Sequence, residues 1–166
     1  MRAWSSARFG IPLPADRRFP IAKYALVRQA VVASGVLPPE AIHEPDPADR
    51  AVLTLAHSES YVDAVIEGRL TEDETRRLGF PFNDAAVAIR ALRQWGRIRR
   101  AVVIDLDVHQ GNGTARIFAG DPAVFTYSMH GERNYPIRKE SSRLDVGLPD
   151  GCDDAQYLGA LERHLE

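Results

Sequence analysis

Arg100-Ala101-Val102-Val103-Ile104-Asp105-Leu106-Asp107-Val108-His109-Gln110-Gly111-Asn112-Gly113-Thr114 is an apolar run that ends in charge and then in glycine. Its opening, Arg100 to Ile104, predicts a buried central strand, because a strand covered on both faces reads as unbroken hydrophobicity. Side chains alternate between faces along an extended segment, which puts Asp105, Asp107 and His109 on one side. Charged groups are rarely buried unless they are paired or bind a metal. In open α/β sheets, ligands bind at the carboxyl ends of the strands. The pattern therefore predicts a divalent metal site with mixed oxygen and nitrogen ligands, for which zinc is the suited ion. The plainer alternative is an Asp and a His satisfied by loop amides at a strand end. Gly111 and Gly113 lack the third glycine or Lys-Ser/Thr of a phosphate loop. They predict a tight turn just after the ligands.

The rest of the chain reads as helical cover for a parallel sheet. Pro20 starts a first helix that runs to about Ser34, with Gly35 just past its end. Pro38, Pro39, Pro45 and Pro47 form a rigid connector unsuited to helix. Ser58 caps a short helix ending at Gly68, and Thr71 with Glu74 makes a capping box. Asn83 caps the clearest helix, Asp84 to Trp95, which stops at Gly96. After the strand ending at Asp105 come a short helix near Thr114 to Phe118 and a second strand, Val124 to Met129. Asp153 caps a last helix through His164.

The chain has 166 residues, enough for one domain with a real core. Its apolar share of 45% and charged share of 27% are those of an ordinary globular protein. A net charge of -2 gives no field to draw nucleic acid or an anionic membrane. The basic cluster Arg97, Arg99 and Arg100 reads as a solvated turn. The single Cys152 excludes an internal disulfide and reads as an ordinary loop residue. No signal-peptide pattern or bilayer-length stretch is seen, so the expected location is the cytoplasm. His43 and His164 are expected in solvent, and His57 on the surface or at a helix cap. His130, just after the second strand, is the histidine that would stand in as a further ligand.

The motif and its surroundings resemble the zinc-dependent histone deacetylases and their bacterial relatives, among them acetoin-utilisation proteins and acetylpolyamine amidohydrolases. The family's signature around its first two zinc ligands is Asp-x-Asp-Val-His-x-Gly-Asn-Gly-Thr, and Asp105 to Thr114 match it throughout. Similar stretches are Arg18 to Tyr24, His57 to Val62, Phe82 to Ala86, Phe118 to Asp121, Phe125 to His130, and Leu148-Pro149. The resemblance implies an α/β, parallel-sheet, arginase/deacetylase-like fold, with residues 1–166 as a single partial domain. It implies Asp107 and His109 as zinc ligands and Asp105 as an outer carboxylate that orients a proton-handling histidine. It further implies a potassium site built from the carboxylates of Asp105 and Asp107, the His109 carbonyl, the Ser128 hydroxyl and the Met129 carbonyl, all hard oxygen donors. Against that stands a Ser128 hydroxyl merely bonding a neighbouring carbonyl. Phe118 and Val124 resemble backbone ligands of a second cation site, though core packing explains them equally well.

Family members are longer and carry three further pieces. A Gly-Gly-x-His-His stretch before Phe-Asn-Asp handles protons; here Arg76 to Pro81 run almost straight into Phe82, which reads as an internal excision. The third zinc ligand, an Asp, and a Tyr that polarises the substrate carbonyl lie in a C-terminal half beyond Glu166. The expectation is thus a zinc-dependent deacetylase lineage, acting on acetyl-lysine or acetylpolyamine amides, with zinc weak or lost and this chain inactive by itself. A short sheet should leave an exposed edge prone to self-association. The alternative is a non-catalytic metal- or cation-binding remnant, or a subunit completed by a partner. An arginase-like binuclear hydrolase is disfavoured, since arginases place the His between two carboxylates and here the order is Asp, Asp, His.

Overall fold

The computed structural model describes residues 2–7, 22–74 and 83–165, which fall into two compact units, Met1–Ala48 and Asp49–Glu166. Pro20 and the segment Arg76 to Phe82, where the excision is expected, lie outside the described residues. In the first unit, β1 (Ala3–Trp4) pairs in parallel with β2 (Ile42–His43), Ala3 opposite Ile42. Between them α1 (Lys23–Ala33) ends at Ser34, and Gly35 takes the left-handed conformation (φ 71°) expected of a residue past a helix end. The proline connector departs from expectation. It contains one 3-10 turn, Pro39–Ala41, because a proline at the first helical position is already set to helical φ and loses no needed donor.

The second unit opens with α2 (Arg50–Leu53), a helix the sequence reading missed. The Asp49 carboxylate accepts the Val52 N–H at 2.8 Å and supplies its cap. Arg50 then grips Asp63 of α3 (Glu59–Ile66) with two bonds, at 2.7 and 3.0 Å. Its guanidinium holds the Asp63 carboxyl below the usual carboxylate range. Ser58 occupies the cap position of α3, but its hydroxyl caps no helix amide and instead pairs with the Ser60 hydroxyl at 3.4 Å. The Thr71–Glu74 box forms as read: Glu74 accepts the Thr71 N–H at 2.9 Å, and Thr71 Oγ1 accepts the Glu74 N–H at 3.2 Å.

Helix α4 (Asp84–Gln94) carries the clearest cap. Asn83 Oδ1 accepts the Ala86 N–H at 2.8 Å, and Asn83 Nδ2 donates to the buried Thr114 Oγ1 at 2.8 Å. The Asn83 N–H donates to His57 Nε2 at 3.2 Å. One residue thus joins three segments. Asn83→Ala is expected to lower stability by about 1–2 kcal/mol, read as a shift in the urea midpoint at unchanged slope. Asn83→Asp keeps the cap and loses only the bond to Thr114, so its loss should be smaller. Equal losses would show that the cap contributes nothing.

The sheet comprises β3 (Ala101–Asp105), β4 (Val124–Gly131) and β5 (Leu144–Leu148), all parallel, in that order. Registers place Val102 beside Phe125, Asp105 beside Ser128, and Ser128 beside Asp145. Parity then divides the side chains between two faces. On one, Val103, Ala101 and Val124 pack with Ala86 and Ile89 of α4, and with Ile117 and Phe118 at the end of α5 (Asn112–Ile117). On the other, Tyr127, Met129, Leu144, Val146 and Leu148 pack against Tyr157, Ala160 and Leu161 of α6 (Asp154–Leu165). The α6 cap is reciprocal, with Asp153 Oδ1 accepting from Gln156 N–H at 2.8 Å and Gln156 Oε1 from Asp153 N–H at 3.2 Å.

The expected central strand is instead an edge strand among the described residues. Helix α6 covers β4 and β5 but stops short of β3, leaving Val102, Ile104 and Phe125 at 64%, 49% and 45% exposure. The unbroken apolar run signalled two faces to be covered, and the described chain covers one. Strand β5 was also missed, although Leu144, Val146 and Leu148 alternate with Asp145 and Gly147 in the period of two that marks a half-buried strand.

Candidate functional site

Strand β3 delivers Asp105 to the carboxyl edge of the sheet, and there the extended backbone ends. Residues 107–109 are bends, so the expected alternation does not carry past Asp105. A different device gathers the motif. Asp105 Oδ1 accepts the Asp107 N–H at 3.1 Å, and Asp107 Oδ1 accepts the His109 N–H at 2.9 Å. Each carboxylate thereby caps the amide two residues ahead, a local turn that Asp side chains form readily. The same Asp107 Oδ1 lies 3.1 Å from His109 Nδ1. Both side chains are about half exposed, and the His109 ring stands edge-on to the Tyr135 ring, 6.1 Å between centroids. The plainer reading accounts for these bonds, since the carboxylates satisfy loop amides, and the same turn brings the Asp107 carboxylate beside the His109 imidazole.

Gly111 follows with φ of -71°, so left-handed freedom is not why glycine stands there. The reason is proximity: a Cβ at position 111 would lie well within van der Waals contact distance of Asp105 Oδ2. At Gly113 an added Cβ meets only Asn83 Nδ2, at an ordinary 3.5 Å.

Behind the loop, Ser128 and His130 are almost wholly buried on β4. Ser128 Oγ accepts the Gly111 N–H at 3.3 Å and lies 3.1 Å from His130 Nδ1. A histidine occupies the role expected of a neighbouring carbonyl. Ser128 sits one ladder rung, about 4.8 Å, from Asp105, so two of the three oxygen-bearing side chains named for the potassium site are neighbours across the sheet. The Met129 side chain points the other way, into the core beneath Tyr127. Phe118 and Val124 are core residues of the opposite cluster.

His57 departs from a surface placement. It is half-buried, accepts the Asn83 N–H, and burial pushes its pKa below the ordinary histidine value. It is a capping group, as the second half of that expectation had it. His43 and His164 are exposed, and Cys152 is free and half-buried in its loop. Among the described residues no group of three His, Cys, Asp or Glu side chains is placed to enclose a metal. Gln110, which the sequence reading gave no role, is buried and bonded through its amide to Glu140 and Asp145. Its only sequence signal was its place beside His109.

As a zinc cradle the pair fits in part. Two donors each about 2.1 Å from a tetrahedral ion lie about 3.4 Å apart, close to the 3.1 Å between Asp107 Oδ1 and His109 Nδ1. One carboxylate and one imidazole are two donors of the three that catalytic zinc takes from protein.

Comparison with known proteins gives the geometry a lineage. A family model described as Histone deacetylase domain matches residues 73–166. An uncharacterized protein of Picosynechococcus sp. is 37% identical over 204 residues, covering 93% of this chain and 68% of the relative. That alignment is longer than the 166 residues of this chain, so the relative carries residues within the matched span that have no counterpart here. Histone deacetylase 9 of Homo sapiens is 35% identical over 95 residues, 54% of this chain and 9% of that protein. A crystal structure of an HDAC homolog complexed with SAHA superposes with a TM-score of 0.70 at 19% identity. It covers 99% of this chain, which spans 63% of the solved one. The parallel sheet is therefore that of the deacetylase fold, and the family model over more than half its length makes the chain a member of the histone deacetylase family.

Proposed function

We propose that residues 1–166 are part of a single deacetylase-type domain whose metal centre is built on Asp107 and His109, with acetylated lysine or polyamine amides as the substrate class. The observation that carries this is the convergence of Asp107 Oδ1 and His109 Nδ1 at the carboxyl end of a parallel strand. Asp105 supports the loop by capping Asp107, and Asp105, Asp107, the His109 and Met129 carbonyls and Ser128 are the candidate potassium ligands. Zinc bound there would polarise an amide carbonyl and lower the pKa of a bound water. Carboxylate and imidazole ligands hold a metal only when deprotonated, so binding there should weaken as pH falls. Tyr135 stands as one wall beside His109. The SAHA-bound structure supports a small-molecule cleft on this fold.

Hydrolysis further requires a base for the water and a donor for the developing oxyanion. The sequence has no Gly-Gly-x-His-His stretch ahead of Phe82, which supports a chain inactive by itself. That same observation favours the second reading, a cation-binding remnant or a subunit completed by a partner. No described helix is long and apolar enough to cross a membrane.

Titration calorimetry tests the metal assignment. Zinc is expected to bind, more weakly than to a complete relative, and more weakly again in His109→Ala. Binding unchanged by that substitution places the ion elsewhere. The activity arm measures acetate released from acetyl-lysine peptides and acetylpolyamines, and the expected result is no release above a metal-only control. Turnover abolished by Asp107→Ala would overturn the inactive reading.

A further inference from the structure

Gln110 is 4% exposed, and its amide bonds reach residues 30 and 35 positions away. Its Oε1 accepts the Glu140 N–H at 2.9 Å, while its Nε2 donates to the Glu140 carbonyl at 2.7 Å and to Asp145 Oδ1 at 2.9 Å. The side chain thus pairs with the Glu140 backbone much as a neighbouring strand would. A buried amide is costly unless its donors and acceptor are met, and here each finds a partner.

Glu140 lies in the segment that links β4 to β5, and this segment also carries Tyr135. The segment is laced internally: the Tyr135 N–H donates to Asn134 Oδ1 at 2.8 Å, and Lys139 Nζ to the Pro136 carbonyl at 2.7 Å. At its start the Gly131 N–H donates to the Val108 carbonyl at 2.9 Å. Residues 108, 109 and 110 therefore hold it in turn, through the Val108 carbonyl, the His109 ring edge against Tyr135, and the Gln110 amide on Glu140.

We propose that Gln110 is a positioning residue that sets where Tyr135 stands against the His109 imidazole, so that metal ligand and site wall are fixed by adjacent residues. This rests on reading Asp107 and His109 as the metal pair only for its consequence at the metal. The placement of Tyr135 holds with or without an ion. A shorter or non-donating side chain at 110 releases Glu140, and Tyr135 moves away from His109 while the sheet beneath stays packed.

The test is 19F NMR of the full chain labelled with 3-fluorotyrosine, which gives five signals, with Tyr135→Phe assigning the relevant one. In the wild type, the Tyr135 signal is expected away from the free amino-acid position and to shift when zinc is added. In Gln110→Ala it should move towards the free position and lose its zinc response, with Tyr127 and Tyr157 unmoved. Gln110→Glu keeps the volume but cannot donate to the Glu140 carbonyl or Asp145, and should behave likewise. A Tyr135 signal unchanged in both variants overturns the proposal. So does a general shift of all signals, which would reduce Gln110 to a support of the fold. Absence of a zinc response in the wild type would instead count against the metal pair, and the metal-free displacement of Tyr135 would then decide the role of Gln110 alone.

Discussion

Gly111→Ala is expected to cost about 1–3 kcal/mol of folding stability, whereas Gly113→Ala, two residues on, should be neutral or stabilising. A Cβ at 111 runs into the Asp105 carboxylate, whose other oxygen caps the Asp107 amide. Relief requires either Asp105 to turn away or the loop to lift from Ser128, which accepts the Gly111 N–H. Position 113 lies within α5 with only an ordinary contact nearby, and a helical alanine is favoured over glycine by roughly 0.5–1 kcal/mol. Urea unfolding of the two variants in parallel measures the contrast. Similar effects from both would show that the loop absorbs the methyl and that the close approach to Asp105 is incidental.

The second large effect concerns association. The wild-type chain is expected to self-associate with rising concentration, and Val102→Lys combined with Ile104→Glu should shift it to monomer. Both residues lie on an edge strand and are largely exposed, with Phe125 beside them. An apolar edge of this kind offers unpaired backbone groups and dry surface together, and charge on the edge is the usual deterrent. Light scattering across a concentration series reads the change. A wild type that stays monomeric throughout, with a cooperative thermal transition, would show that this surface needs no cover.

Much of the second unit was legible because local rules and tertiary demands agree there. Asn83 and Asp153 each precede an apolar-periodic run and cap it as read, and Thr71 forms its box with Glu74. Strand β3 ends at Asp105 and β4 begins at Val124 as expected, although β4 continues two residues further, to Gly131. What escaped was of two kinds. Arg50–Leu53 is too short to assert a period and forms because an Arg–Asp pair completes it, whereas Leu144–Leu148 carries its alternation and was overlooked between two loops. The burial of β3 was misjudged because an apolar run records what a strand is built to meet, and α6 does not reach it. At the candidate site the residue types were legible and the way they meet was not. Pleat alternation was the natural expectation, but the backbone turns after Asp105, and side-chain caps on backbone amides do the gathering. Gln110 was invisible for a related reason: its partners lie far along the chain, and no local pattern signals them.

The capping of one amide by Asp105 and the next by Asp107 also bears on how such a motif persists. The loop that gathers Asp107 and His109 is held by hydrogen bonds from its own backbone amides to the two aspartates. Replacing either aspartate would leave an amide without its acceptor, so selection for folding alone would keep both letters in place after catalysis had been lost. The Asp-x-Asp-x-His pattern can therefore outlive its chemistry. Within this fold its presence reports descent and loop stability first, and turnover only where the remaining machinery surrounds it.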